Sequence, residues 1–310
     1  MMLWIAAFIL ILSLIIVIYD QLKHIKQPRQ EAEVPTYVNY ARGLSFLLLL
    51  YLSIRLYDVS VLLILVVLTG LSLIVWVGYR LWQTVVTKQK DQQDPILVDY
   101  ARSLLPIFII VLIIRSFLFQ PFRVPSGSLE PTVEPGDFVL VSQFAYGLRL
   151  PILQTKIVDI GEPKRGDIAV FHYPIDTNVD FIKRIIGLPG DHIQYKNKQL
   201  TINGHKIKQT FVRNTVDIEG DRTIPATIKT ENLNGTKHRI MLYNNMSDHM
   251  SFDFTVPEGY YFVMGDNRDG SADSRYWGFM PEHDLVGQAW YVWFHWGPDG
   301  IKLSRFGQSL

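Results

Sequence analysis

The sequence predicts a mainly β protein with a smaller inserted β-subdomain, carried behind four N-terminal transmembrane helices. Three observations predict it. Hydrophobic residues make up 48% and charged residues 19% of 310 residues, with mean hydropathy +0.14. The charges are uneven: residues 1–120 hold ten Lys+Arg and seven Asp+Glu between long uncharged runs, and the rest has an ordinary soluble balance. After residue 123, short runs rich in Val, Ile, Phe and Tyr alternate with turn residues, the pattern of strands. These features exclude a disordered chain, a coiled coil and a purely soluble globule. With net charge +1, no basic field points to nucleic acid. No cysteine is present, so thiol chemistry, disulfides and zinc–thiolate sites are excluded.

The four apolar stretches are residues 1–19, 43–57, 59–79 and 103–122. The first and third are uncharged and long enough to cross ~30 Å of hydrocarbon. Arg55 and Arg115 lie near segment ends, where long side chains snorkel. The second stretch is short and also fits a re-entrant helix. The region repeats: Pro35-Thr-Tyr-Val-Asn-Tyr-Ala-Arg-Gly-Leu44 aligns with Pro95-Ile-Leu-Val-Asp-Tyr-Ala-Arg-Ser-Leu104 at an offset of 60, which brings Arg55 onto Arg115. We read residues 1–122 as a membrane region with a tandem two-span repeat, about 1–60 and 61–120. No basic residue precedes the first apolar run, unlike a cleavable signal peptide. Lys23, Lys26, Arg29 and Arg42, then Arg80, Lys88, Lys90 and Arg102, place both linkers in the cytoplasm by the positive-inside rule. Residues 123–310 then lie outside, with 194–256 as the inserted β-subdomain.

In that segment, Gly136-Asp137, Gly166-Asp167 and Gly190-Asp191 each introduce a strand-like run, and these aspartates read as turn formers bonding their own backbone. Three clusters could carry chemistry. Pro125-Ser-Gly-Ser-Leu-Glu-Pro-Thr132 is a rigid turn exposing hydroxyls, or a plain linker. A serine needs a base to become a nucleophile. His172, His192 and His283 have no serine-centred motif and read as surface or turn residues. Lys183 lies in the strand-like run Phe181–Ile186, where alternation puts it on an apolar face with Phe181 and Ile185, and Arg184 on the other. Desolvation there lowers an amine's pKa toward neutrality and makes a general base. A snorkelling surface lysine also fits, and the residues alone leave both readings open. The third cluster, Gly265-Asp-Asn-Arg-Asp-Gly-Ser-Ala-Asp-Ser-Arg275, reads as a loop knitted by its own hydrogen bonds and ion pairs. It lacks the closing glutamate of a calcium loop.

Together with Arg165–Phe171 and Asp180–Arg184, these clusters resemble bacterial type I signal peptidases, membrane-bound Ser/Lys proteases, over about residues 94–306. The resemblance implies an antiparallel β catalytic domain with Ser128 as nucleophile and Lys183 as general base. It implies an oxyanion hole from the Ser128 N–H and the Ser126 hydroxyl, Ser271 orienting the lysine, and a supporting Asp273–Arg275 pair. It puts Val124, Leu129, Val133 and Ile182 around small substrate pockets. Leu129 and Gly270 stand where methionine and asparagine are usual, and the chain has two more spans than the better-known Gram-negative members. No cofactor or metal is implied. The implied substrates are preproteins cut after Ala-X-Ala-like sites. The implied surroundings are the lipid bilayer of the bacterial inner membrane, with the catalytic domain on the periplasmic face and in reach of the secretion translocon. Two alternatives are a self-cleaving Ser/Lys repressor-type protein, which the spans disfavour, and a non-enzymatic membrane-anchored β-domain binding exported chains or envelope polymer.

Overall fold

The computed structural model describes residues 61–87, 95–149, 155–219, 222–233, 235–246, 250–297 and 300–310, with scattered positions between 9 and 45. The chain divides into two compact units, Met1–Leu112 and Ile113–Leu310.

In the first unit, α1 is Val61–Trp82 and α2 begins at Ile96 and runs to Ile113. Two helical stretches among the described residues are long and apolar enough to cross a membrane: Leu62–Val85, mean hydropathy 2.5, and Leu97–Leu118, mean hydropathy 2.2. These two coincide with the predicted spans at 59–79 and 103–122. The predicted spans at 1–19 and 43–57 fall largely outside the described residues. The repeated motif adopts one turn in both copies: Val38 N–H donates to Pro35 O at 2.9 Å, and Val98 N–H to Pro95 O at 2.8 Å. Val38 and Val98, and Ala41 and Ala101, are buried at equivalent positions.

The second unit is antiparallel β. Its strands are β1 (Phe119–Arg123), β2 (Asp137–Ser142), β3 (Leu148–Arg149), β4 (Lys156–Val158), β5 (Ile168–Tyr173), β6 (Asp176–Gly187), β7 (His192–Lys196), β8 (Gln199–Ile202) and β9 (His205–Lys206). They continue with β10 (Gln209–Glu219), β11 (Arg222–Leu233), β12 (Thr236–Tyr243), β13 (Ser251–Thr255), β14 (Tyr260–Met264), β15 (Met280–Pro281), β16 (Leu285–His295) and β17 (Gln308–Ser309). The main sheet has the order β1-β2-β16-β5-β6-β14-β15, with β17 on β16. Residues 192–255 form two further sheets, β10-β11-β12 and β13-β7-β8-β9. A single-turn helix, α3, covers Ser274–Trp277.

The Gly-Asp turns that start β2, β5 and β7 share one geometry. Asp137, Asp167 and Asp191 accept the backbone N–H of Glu134, Lys164 and Leu188, each three residues earlier, at 2.8, 2.9 and 2.7 Å. Each preceding glycine has positive φ. Gly136 also meets the chain end closely, because a Cβ there would lie 2.7 Å from Gly297 Cα and 2.8 Å from Trp296 O. Positive φ costs a non-glycine residue ~1–2 kcal/mol. Overpacking against backbone adds ~1–3 kcal/mol. Gly136→Ala should therefore lower the thermal midpoint of the full chain in detergent more than Gly190→Ala, whose Cβ would meet nothing within 4 Å. Equal midpoints would show that the Gly136–Gly297 approach is not tight.

Candidate active site

Ser128 sits in a one-turn 3₁₀ helix, Gly127–Leu129, on the connection from β1 to β2. The ends of that connection are tied: Val124 N–H donates to Asp137 O at 2.8 Å and Gly136 N–H to Val124 O at 2.9 Å. Lys183 lies in the interior of β6, opposite Ala169 of β5, while its neighbours Arg184 and Ile185 pair with β14. The two meet: Lys183 Nζ is 2.5 Å from Ser128 Oγ, although 55 residues separate them. Ser126 Oγ lies 3.4 Å from Ser128 Oγ.

Lys183 is 5% exposed. Desolvation lowers its pKa to about 8; Asp273 and Asp266 oppose the shift and Arg275 assists it. Its amine lies 5.4 Å from the centre of the Phe181 ring, which stacks on Tyr173. An amine so placed is partly neutral near pH 8 and within reach of the serine proton.

Val124, Leu129, Val133 and Ile182 belong to one buried apolar cluster. Ile182 lines the cavity containing Ser128 and Lys183; the other three do not. Asp273 caps α3 and forms a bidentate pair with Arg275, both contacts at 2.8 Å. Ser271 is buried, but no hydrogen bond joins it to Lys183, and its hydroxyl has no partner among the described residues. His172 bonds Asp180, and His192 and His283 are surface residues, as the sequence suggested.

Arg184, which alternation places on the face of β6 opposite Lys183, is 3% exposed, because that face is covered by protein too. Its guanidinium grips Asp266 with two contacts of 2.7 Å. One sequence expectation needs correcting in part. The 265–275 loop is knitted by hydrogen bonds of its own, from Gly265 N–H to Asp273, Gly270 N–H to Asn267 Oδ1 and the Arg275 guanidinium to Arg268 O. Its ion pairs mostly reach outside it: Asp266 pairs with Arg184, Arg268 with Glu231, and Asp269 with Lys198, while among the described residues Asp273–Arg275 is the internal pair. Burial pushes Asp266 and Glu231 up, but their arginine partners outweigh it and hold both carboxyls below the usual carboxylate range.

Thr132 donates to Asp266 at 2.5 Å, and Asn267 N–H donates to Ser128 O at 3.1 Å. Asp266 thus joins the serine turn, the lysine strand and the loop. Sequence reading missed this, and it also missed Asp217, Ile218 and Tyr243, which the 194–256 region contributes to the same cavity. No local pattern marks these residues; they arrive through β10 and β12.

A serine and a desolvated lysine on an antiparallel β scaffold describe a serine endopeptidase. The comparisons carry this to a family. The chain belongs to the signal peptidase family, peptidase S26, whose model matches residues 97–296. Signal peptidase I of Pseudomonas aeruginosa is 42% identical over 235 residues, 71% of this chain and 81% of that protein. Signal peptidase I of Haemophilus influenzae is 30% identical over 318 residues, 80% of this chain and 91% of that protein. A crystal structure of a signal peptidase I from Enterococcus faecalis is 29% identical, covers 42% of this chain and 98% of that one, and has a TM-score of 0.28. The two apolar helices fit a membrane anchor.

Breaking a buried pair strands a charge and costs ~3–5 kcal/mol. Asp266→Ala should therefore destabilise the enzyme strongly, whereas Asp253→Ala, which removes a surface partner of His192, should change little. Because the Asp266 carboxyl is depressed, its contribution is present above the unfolded aspartate pKa and fades as pH falls. Similar thermal midpoints for the two variants at pH 7 would remove Asp266 from its structural role.

Proposed function

We propose that this chain is a signal peptidase acting through Ser128 and Lys183 on exported preproteins. The observation that carries the reading is the 2.5 Å contact between a desolvated Lys183 amine and the Ser128 hydroxyl. Lys183 takes the hydroxyl proton, Ser128 attacks the scissile carbonyl, and the oxyanion forms beside the Ser128 N–H and the Ser126 hydroxyl. Such preorganised donors are worth ~3–4 kcal/mol each. Lys183 passes its proton to the departing amine, then activates the water that releases the acyl group. Asp273 and Arg275 support the loop behind the lysine. To Ser271, whose buried hydroxyl has no partner among the described residues, we assign the role of orienting the lysine.

The substrate binds extended, by β-strand addition. The Ala-X-Ala-like end of the signal peptide sits on the apolar side, where Ile182 faces the cavity and Val124, Leu129 and Val133 back it. We place four spans in the inner membrane, with residues 1–122 as the duplicated membrane region, 123–310 as the periplasmic catalytic domain, and 194–256 inserted within it. The lipid bilayer and the secretion translocon are then its neighbours.

Ser128→Ala and Lys183→Ala should each remove nearly all cleavage of an Ala-X-Ala peptide in detergent, with the double variant little worse than either. Lys183→Arg should not rescue, because a guanidinium stays protonated. With the lysine pKa lowered to about 8, kcat/KM should fall about tenfold per pH unit well below that value. A flat profile, or an active Lys183→Ala enzyme, would rule the mechanism out.

Removing one two-span unit preserves parity. Deleting residues 1–60 should leave a reporter at Leu310 on the periplasmic side. Deleting 1–42 leaves three spans in conflict with the basic 80–102 linker and should disturb orientation. A normally oriented 1–42 deletion would mean that the 43–57 segment never crosses.

A further inference from the structure

The cavity that holds Ser128 and Lys183 is lined differently by its two sources. β6 supplies a largely apolar wall of Val179, Phe181 and Ile182, with Asp180 among them. The serine turn supplies Glu130, and the inserted sheet supplies Asp217 and Tyr243 beside Ile218, to make the other. The Glu130 carboxyl folds over Gly127, its carbon 3.3 Å from where a Cβ on that glycine would stand. Asp217 accepts the Tyr243 hydroxyl at 2.5 Å and the Asn267 amide at 3.0 Å, and that amide also reaches Gly127 O at 3.3 Å. Both carboxyls therefore lie at the residue between Ser126 and Ser128. Asp217 has its hydrogen bonds; Glu130 has none to its carboxyl from a described residue.

Cleavage at Ser128 creates a charge that the substrate lacks. The amide nitrogen is neutral, but the departing α-amine titrates near ~7.7–8.0 and gains a second proton from solvent. Resting on the reading above, the signal-peptide half occupies the apolar wall, so the amine half leaves along the other. We propose that Glu130 and Asp217 receive the α-ammonium of the newly cut chain and form the leaving-group side of the site. A neutral amine can re-attack the acyl-enzyme and restore the peptide bond; an ammonium has no free electron pair and cannot. Carboxylates that favour the ammonium therefore bias acylation forward.

The charged groups facing Glu130 set its pH range. Burial, then Asp217 and Glu134, raise it to about 7, while Lys302 and Arg305 oppose them. Lys302 pairs with Glu134, and Arg305 with Asp137 and Glu134. Selectivity for an ammonium should weaken below pH 7, as Glu130 protonates, and above about 8, as the ligand loses its charge.

The test uses the full Ser128→Ala chain in detergent, which binds without turnover. The probes are a six-residue peptide amide with uncharged side chains and a free N-terminus, and its N-acetyl twin, compared by fluorescence anisotropy. The free form should bind about tenfold tighter at pH 7.5, an advantage of the size expected of a partly screened charge pair, and with a clearly smaller advantage, carried by Asp217 alone, at pH 5.5. Glu130→Gln should remove the step between the two pH values. Adding Asp217→Asn should bring the ratio to one. Glu130→Gln is isosteric and breaks no hydrogen bond, so it decides the matter even if the double variant does not fold. Equal binding of the two peptides at pH 7.5, or a ratio that Glu130→Gln leaves unchanged, overturns the proposal. The dyad is judged separately by turnover: a Ser128→Ala enzyme that still cleaves would sink that reading, whatever the binding ratio.

Discussion

A lysine amine held out of water against a serine hydroxyl is the constraint on which the rest of this site depends. Burial alone would make Lys183 a weaker acid-holder and hence a usable base, but two buried carboxylates near it, Asp273 and Asp266, pull the other way. Each is engaged by an arginine: Asp273 by Arg275, and Asp266 by Arg184. An arginine cannot be deprotonated in this range, so each pair keeps its countercharge at every working pH. The ion pairs around the lysine thus limit how strongly the carboxylates can re-protonate it. The lysine stays near pKa 8 because desolvation wins over what remains of their field.

Much of this was legible in the chain. Lys183 was assigned to a strand with Phe181 and Ile185, and it occupies β6 with the cation near the Phe181 ring. The Gly-Asp pairs announced three turns, because a positive φ and a side-chain acceptor three residues on are local properties. What strand alternation could not show was whether the second face of β6 is solvent or protein. Alternation puts Arg184 on the face opposite Lys183, and Asp266 of the 265–275 loop covers it there. A polar residue opposite an apolar face carries the same periodic signal in either case; only its partner, 82 residues away, distinguishes them.

The histidines make the same point from the other direction. His172, His192 and His283 read as surface or turn residues, while no sequence signal marks His238 and His295, although both are buried. His295 bonds Asp137, the aspartate of the first Gly-Asp turn, which Arg305 also engages. A turn former in sequence is therefore also the anchor of the C-terminal segment in three dimensions. His238 lies 3.4 Å from Glu231 and 3.9 Å from Asp266, at the junction of β12 with the loop. Neither residue stands in a motif, because each is defined by what the tertiary fold brings to it.

The inserted sheets gain a physical role from the same contacts. Glu231 of β11 holds Arg268, and Lys198, between β7 and β8, holds Asp269 while donating to Tyr243 O. Met241 N–H of β12 donates to Asp266 O, and Arg268 N–H returns to Met241 O. Buried ion pairs are poor sources of stability, since desolvation offsets their attraction, but leaving one half-made is costly, so they specify geometry. One such pair, Arg268–Glu231, a half-buried one, Lys198–Asp269, and a two-way backbone bridge specify where the loop bearing Asp266, Asn267 and Asp273 must lie. Asn267 N–H then holds Ser128 O. The polar, Lys- and Asn-rich stretch that looked peripheral in sequence is therefore coupled to the serine turn through this loop, whose Asp266 and Asn267 bond Thr132, Gly127 O and Ser128 O, and its β10 edge reaches the cavity itself through Asp217 and Ile218.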